Sequence, residues 1–229
     1  MAIGDKSVGA VAPGAYPHPQ SSPAGRFGYR ALKRAMDLMV CLLVLPLWLP
    51  VFVAVYLLVR WTSPGPGLFR HRRLGRGGTF FTMWKFRTMS RDSEEILAEY
   101  LAANPEAQEE WLHTRKLRRD PRVTALGRVL RRYSLDELPQ LWNVLRGEMS
   151  LVGPRPIVSA EVESYHQCFD CYCAVKPGVT GLWQVSGRNR VSYTERVALD
   201  CRYVREWSLA GDTRILLRTV LCIVNHDEF

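Results

Sequence analysis

The chain has 229 residues, with 31 Lys plus Arg against 22 Asp plus Glu, a formal charge of +9. That balance excludes an acidic solubilising domain and favours anionic partners: nucleic acid, phospholipid headgroups or a phosphorylated substrate. Hydrophobic residues make up 47% of the chain, enough for a core, and six Cys in this length exclude a disulfide miniprotein.

Twenty-six of the 31 cations are Arg. Arg grips phosphate in a planar fork, although a GC-rich genome would produce the same excess. Residues 1–25 hold four Gly, four Pro, five Ala and three Ser without periodicity and read as a disordered tail. A basic cluster of Arg26, Arg30, Lys33 and Arg34 then precedes Leu38 to Val59, 22 residues without a charge. This run is long enough to span a bilayer, and it begins too late and lacks the cleavage site of a signal peptide. Pro46 and Pro50 sit near its centre, one turn apart, and each removes a backbone donor. Both flanks are basic, with Arg60, Arg70, Arg72, Arg73 and Arg76 following the run, so charge gives no orientation across a membrane. A helix that enters, breaks at the prolines and returns would keep both ends in the cytosol, each arm of about 11 residues reaching roughly 16 Å. A kinked single span is the alternative, since membrane helices tolerate Pro.

The organisation expected is therefore a tail over 1–25, a basic-flanked membrane helix over 26–60 and a soluble α/β or α+β region over 61–229. Within the last, Ser63 to Gly67 is a turn. Leu68 to Arg70 and Thr79 to Phe86 form a hairpin across Gly75, Gly77 and Gly78. Asp92 to Lys116 reads as a solvated helix interrupted at Pro105. Thr194 to Trp207 and Asp212 to Val224 read as amphipathic helices. In the second, Ile215, Leu216, Leu217, Val220, Leu221 and Val224 oppose Arg214 and Arg218, a pattern that suits a membrane surface or a core equally.

The densest segment runs from Arg131 to Leu145. Leu135, Leu138, Leu141, Trp142 and Leu145 repeat at helical spacing, with Asp136 and Glu137 starting on another face. A capping box from Ser134 to Glu137 and a dipole role for Asp136 explain both acids without chemistry. Adjacent acids beside Arg131 and Arg132 at a helix start also suit phosphoryl transfer, in which a carboxylate attacks phosphorus and a cation neutralises the developing charge. A glycosidase needs its two carboxylates facing across about 5 Å or more, whereas neighbours on a helix diverge. Pro154 and Pro156 restrict the backbone around Arg155. Lys176 to Gly181 and Gly187-Arg188-Asn189 read as Gly-rich turns suited to a phosphate, without a P-loop or dinucleotide fingerprint. His166, Cys168, Cys171 and Cys173 lack the second pair that a zinc site needs. Cys41 and Cys222, in apolar runs, read as reduced, buried thiols of a cytosolic compartment.

Five ordered motifs carry a resemblance: Lys33-Arg34-Ala35-Met36-Asp37, Lys85-Phe86-Arg87-Thr88-Met89, Ser134 to Gln140, Val152 to Pro156, and Lys176 to Gly181 through Asn189. Over about residues 27–224 the chain resembles the bacterial sugar transferase family, small monotopic polyprenyl-phosphate hexose-1-phosphate transferases. The resemblance implies a mostly helical α+β fold, with a re-entrant helix–break–helix, a small cytosolic α/β catalytic region over 61–229 and amphipathic interfacial helices. It implies transfer of hexose-1-phosphate from a UDP-hexose, galactose or glucose, to undecaprenyl phosphate, initiating exopolysaccharide or related glycan assembly at the cytosolic face of the bacterial inner membrane. Asp136 would be the nucleophile and Glu137 its partner, as Mg²⁺ ligands or with Glu137 as base. Arg131, Arg155 and Arg188 would anchor phosphate or nucleotide, with Lys85 and Arg87 as weaker candidates, and Pro50, with Pro46, would mark the helix break. Nucleic acid is not among the partners it implies, phospholipid is, and a homo-oligomer is compatible with it. The family often has Ser-Pro at the break, where this chain has Leu49-Pro50, and the Cys168 to Cys173 group matches none of its motifs. A membrane-tethered nucleic-acid-binding module and a non-catalytic scaffold are the competing classes. The first meets no reading motif among the scattered cations, and the second would tolerate loss of both acids.

Overall fold

The computed structural model describes residues 27–114, 117–187 and 191–224. The expected N-terminal tail lies outside them. Among the described residues the architecture is mostly helical with two small sheets.

Helix α1, Phe27–Thr62, is one apolar helix of 36 residues. The expected helix–break–helix is met by a single helix that carries Pro46 and Pro50 inside it. A proline costs its own N–H bond and crowds the carbonyl four residues back, while the neighbouring bonds can persist. Only 11% of the most apolar 18-residue stretch of α1 is buried, and Leu43 and Leu47 are 78% and 74% exposed. The core helix of a soluble protein would hide such a surface, so α1 marks the chain for membrane association.

The polar first turns of α1 fasten it to the rest of the chain. Arg30, Lys33, Arg34 and Asp37 recur at helical spacing on one face. Lys33 donates to Asp212 at 2.6 Å. Arg34 donates to the carbonyls of Val144 and Leu145. Buried Asp37 accepts from the Ser150 hydroxyl at 2.8 Å and the Leu151 amide at 3.1 Å. Further along, Cys41 enters a core with Met83, Val144, Met149, Val152 and Trp207. Val55 and Val59 enter a second core with Phe86 and Leu130.

Strands β1, Leu68–Leu74, and β2, Phe80–Phe86, form the expected antiparallel hairpin, with Leu68 opposite Phe86 and Leu74 opposite Phe80. The expected interruption at Pro105 is also present. Helix α2, Ser93–Ala103, ends there, and Pro105 begins α3, Pro105–Thr114, where its missing N–H costs nothing. Helices α4, Ala125–Arg132, and α5, Gln140–Arg146, flank the acid pair. Beyond them come β3, Ser150–Val152, the short helices α6, Val162–Tyr165, and α7, Phe169–Ala174, then β4, Gly178–Thr180. The chain closes with α8, Tyr193–Arg205, and α9, Leu209–Val224. On α9 the apolar residues divide: Ile215 is buried, whereas Leu217, Val220 and Leu221 are exposed.

The backbone from Lys176 to Gly181 is not the Gly-rich turn expected from its glycines. Gly178 to Thr180 is β4, paired in parallel with β3, with Ser150 opposite Gly178. Its glycines permit backbone contact: a Cβ on Gly178 would meet the Gly153 nitrogen at 2.1 Å. Gly178→Ala is therefore expected to cost at least about 2 kcal/mol and to lower Tm by roughly 4–8 °C. A circular-dichroism melt in detergent would check this, and an unchanged Tm would show that the strands can separate freely.

Candidate active site

Strand β2, the turn after α4 and the loop after β3 surround an open groove of about 1100 Å³. Asn143, fully buried on α5, satisfies the free edge of β2: its amide donates to the Thr82 carbonyl at 2.7 Å and its oxygen accepts from the Trp84 N–H at 3.1 Å. This fixes Lys85, the next residue, on the groove wall. Helix α4 is capped by Thr124, whose hydroxyl accepts from the Gly127 amide. At Gly127 any Cβ would strike the Thr88 carbonyl at 2.1 Å, so α4 lies directly against the end of the hairpin.

After α4 the chain turns at Ser134, a non-glycine residue with φ of +54°. Such conformations are held only where surrounding structure imposes them, and they gather at functional sites. The turn leads into a 3₁₀ segment, Leu135–Glu137, rather than one helix running to Leu145. The expected capping box is not formed. The Ser134 side chain makes no cap bond, and the Glu137 carboxylate instead accepts from Lys85 Nζ at 2.6 Å. Lys85 Nζ also lies 3.8 Å from Asp136 Oδ2. One ammonium thus bridges both acids, which the i, i+1 spacing alone did not imply.

The two carboxylates sit in different surroundings. The Asp136 side chain is 13% exposed and that of Glu137 30%. Burial pushes the Asp136 carboxyl up to about 6; Lys85 opposes this, the Glu137 charge adds to it, and Arg131 opposes it again. The result is a poised, partly desolvated carboxylate beside a fixed cation, an arrangement suited to attack on an anionic phosphorus.

Of the expected phosphate anchors, the groove gathers Lys85, Arg87, Arg131 and Arg155 with the acid pair. Arg131 is aimed by its Nε–H donating to the Thr88 hydroxyl at 3.0 Å. Arg155 pairs with Glu161 at 3.2 Å, and Glu161 also receives Arg73 and Arg196. Arg87 has a different duty, since both its terminal nitrogens donate, at 2.7 Å each, to the carbonyls of Ser63 and Pro64 and hold the loop after α1. Arg188 lies outside the described residues. Sequence reading assigned no role to Thr88, Asn143 or Glu161. Thr88 lies within the Lys85 to Met89 motif and Asn143 within the Arg131 to Leu145 segment.

No group of three or more His, Cys, Asp or Glu that could hold a metal occurs among the described residues. Cys168 and Cys171 are instead buried in a core with Leu74, Tyr165, Tyr172 and Cys201. Asp136 and Glu137 offer hard carboxylate oxygens, a donor set that fits Mg²⁺ shared with substrate phosphates, because that ion needs only one or two protein carboxylates.

Residues 28–226 match the family described as Bacterial sugar transferase. The chain is 50% identical over 188 residues to the exopolysaccharide production protein ExoY of Rhizobium meliloti, covering 82% of this chain and 83% of that one. It is 48% identical over 198 residues to an undecaprenyl-phosphate galactose phosphotransferase of Salmonella typhimurium, covering 86% of this chain but 41% of that longer protein. It is 40% identical over 215 residues to a UDP-glucose:undecaprenyl-phosphate glucose-1-phosphate transferase of Caulobacter vibrioides, covering 90% and 74%. With a family match over nearly the whole described chain, and an acid pair bridged by lysine in an arginine-lined groove, the protein belongs to the bacterial sugar transferase family.

Proposed function

We propose that the chain transfers hexose-1-phosphate from UDP-galactose or UDP-glucose to undecaprenyl phosphate, releasing UMP and starting an exopolysaccharide or related glycan. The observation that carries this is the Asp136–Lys85–Glu137 cluster, with Asp136 buried and its carboxyl raised to about 6, in a groove shared with Arg131 and Arg155. The names of the rhizobial, Salmonella and Caulobacter relatives support the pathway and the substrates.

In the first half-reaction an Asp136 oxygen attacks the β-phosphorus of the UDP-hexose. The bond from that phosphorus to the bridging oxygen breaks, UMP leaves with the bond pair, and the hexose phosphate stays on the carboxylate as an acyl phosphate. In the second, an oxygen of undecaprenyl phosphate attacks the same phosphorus and Asp136 is released as carboxylate. Where the acceptor arrives protonated, Glu137 takes that proton. Lys85 and Arg131 hold charge around the phosphorus, Arg155 grips the departing nucleotide phosphate, and Arg87 supports the groove through its loop. Arg188 joins them as a nucleotide anchor. Glu137 and Asp136, with the diphosphate oxygens, would hold Mg²⁺, which supplies neutralisation of the charge that builds on the leaving phosphate.

Helix α1 is re-entrant in this reading, with Pro50 and Pro46 at its bend and the domain on the cytosolic face of the inner membrane. The support is that Arg34, Trp48 and Val59 all reach one domain: Arg34 the end of α5, Trp48 the Leu138 carbonyl at 3.0 Å, and Val59 the core around Phe86. A straight stretch from Arg34 to Val59 would be about 37 Å long and, if it crossed, would part its ends to opposite faces. Basic residues on both flanks favour the cytosol for both.

Purified full-length protein incubated with Mg²⁺, a panel of UDP-hexoses and undecaprenyl phosphate is expected to release UMP with at least one of them. Labelled UMP should exchange into that UDP-hexose without acceptor, as the covalent intermediate requires. No UMP release from any UDP-sugar would reject the function. Release without exchange would reject the two-step route alone.

A further inference from the structure

A second recess opens beside the first turns of α1 and shares no lining residue with the catalytic groove. Five cations line it: Arg30, Lys33 and Arg34 from α1, Arg76 from the β1–β2 loop and Lys176 from the segment before β4. The acid on its wall is Asp37, and that carboxylate is already occupied by Ser150 and the Leu151 amide. Lys33 is neutralised by Asp212, and Arg34 is spent on the last carbonyls of α5. Among the described residues, the side chains of Arg76 and Lys176 make no hydrogen bond or ion pair of this kind.

The cations crowd one another. Lys176 Nζ and Arg34 Nη2 converge over Gly147, lying 3.4 and 3.6 Å from the position a Cβ would take there. Burial and the charges of Arg34 and Arg76 push the Lys176 ammonium down from its ordinary range. The negative end of α5 accounts for Arg34, whose donors reach it. It does not account for Arg76, which arrives from a different loop. Forks and an ammonium directed into one recess suit a tetrahedral phosphate.

The aromatic lining indicates what that phosphate is attached to. Tyr203 and Trp207 also line the recess, and Trp207 packs edge-on against Tyr29 of α1 with centroids 5.0 Å apart. About 12 Å along α1 from Arg34, the exposed apolar surface is under way at Leu42 and Leu43. A recess lined by cations and two aromatic residues, next to a bare apolar helix, matches a headgroup phosphate whose acyl chains run along α1.

We propose that this recess binds the phosphate of an anionic phospholipid from the leaflet into which α1 inserts. The proposal rests on the reading of α1 as a membrane element, and its test separates the two. Full-length protein in a neutral detergent would be examined by native mass spectrometry with phosphatidylglycerol, phosphatidylcholine or glycerol 3-phosphate. Wild type, Arg76→Gln and the Arg76→Gln/Lys176→Gln double variant would be compared, each also tested for recovery with phosphatidylcholine vesicles.

The expected result is one retained phosphatidylglycerol on wild type and at least a tenfold weaker retention on the double variant, with an intermediate loss for Arg76→Gln. Phosphatidylcholine should be held weakly by all three, and vesicle recovery should be unchanged. Equal phosphatidylglycerol retention by wild type and both variants would overturn the site. Glycerol 3-phosphate binding as tightly as the lipid would overturn the lipid in favour of a soluble phosphate. Failure of wild type to associate with vesicles would overturn the membrane reading, and the lipid assignment with it. Should the double variant not fold, Arg76→Gln decides alone, since Arg76 is exposed on a loop, and unchanged retention there would overturn the proposal.

Discussion

Asp136→Asn is expected to reduce UMP release at least about a thousandfold for every UDP-hexose, because an amide cannot form the acyl phosphate. Unchanged release would eliminate Asp136 as nucleophile. The same group sets the acid limb of the pH profile. With the carboxyl pushed up to about 6, the attacking form is depleted below that pH, so kcat/KM of the wild type should rise through about pH 6 and then level. Stability should move the other way. A carboxyl whose folded value lies above its ordinary 3.8 stabilises the fold fully at pH below 3.8, and that contribution is lost as pH rises through about 6. At pH 8 the wild type therefore carries a buried charge that Asn lacks, and the inactive variant should melt a few degrees higher, a gain on the order of 1–3 kcal/mol. Melts at pH 5 and pH 8 check this, since the gap between the proteins should narrow at pH 5.

Asp212→Ala is expected to be the most damaging change far from the groove. The Asp212 carboxylate is fully buried and accepts from Lys33, from the Tyr203 hydroxyl at 2.9 Å and from the Trp207 indole at 2.9 Å. Removing it strips the half-buried Lys33 ammonium and the buried Trp207 indole of their acceptor and leaves the Tyr203 hydroxyl only the Val152 carbonyl, a loss of about 3–5 kcal/mol. In a chain of this size that is a Tm fall of roughly 6–20 °C. Asp212→Asn, which keeps an acceptor oxygen but not the charge, should fall between. A melt of Asp212→Ala within a degree of wild type would mean that the anchor of α1 lies elsewhere.

The parts legible in the sequence were those set by local chemistry. Glycines and alternating residues predicted the β1–β2 hairpin, Pro105 predicted the division between α2 and α3, and the charge-free run predicted α1. The acid pair was legible as a candidate because two carboxylates beside arginines are unusual company. What bound it together was not legible, because Lys85 meets Glu137 across 52 positions of chain. For the same reason the structural explanation that sequence offers for Glu137, beside its role as partner acid, is a capping box with Ser134, the nearest partner along the chain. Lys176 to Gly181 was misread because glycine spacing does not separate a turn that exposes backbone from a strand pair that needs two backbones in contact. Pro46 and Pro50 mark where α1 can bend, but local sequence does not show that it stays helical through both, from Phe27 to Thr62.

The way α1 divides its contacts bears on how the protein can be made and cut. Cys41 completes one core cluster and Val55 with Val59 completes another, so the helix is shared by both rather than appended to either. A truncation beginning after Thr62 would not liberate a water-soluble enzyme. It would open two cores at once and strand Ser150, the Leu151 amide and Asp212 without their partners from α1. During synthesis α1 leaves the ribosome well before Asp212, so Lys33 stays without that partner until α9 emerges. Packing of α1 against the rest of the protein is then completed only once α9 has been made, so helices far apart in sequence fold as one cooperative unit.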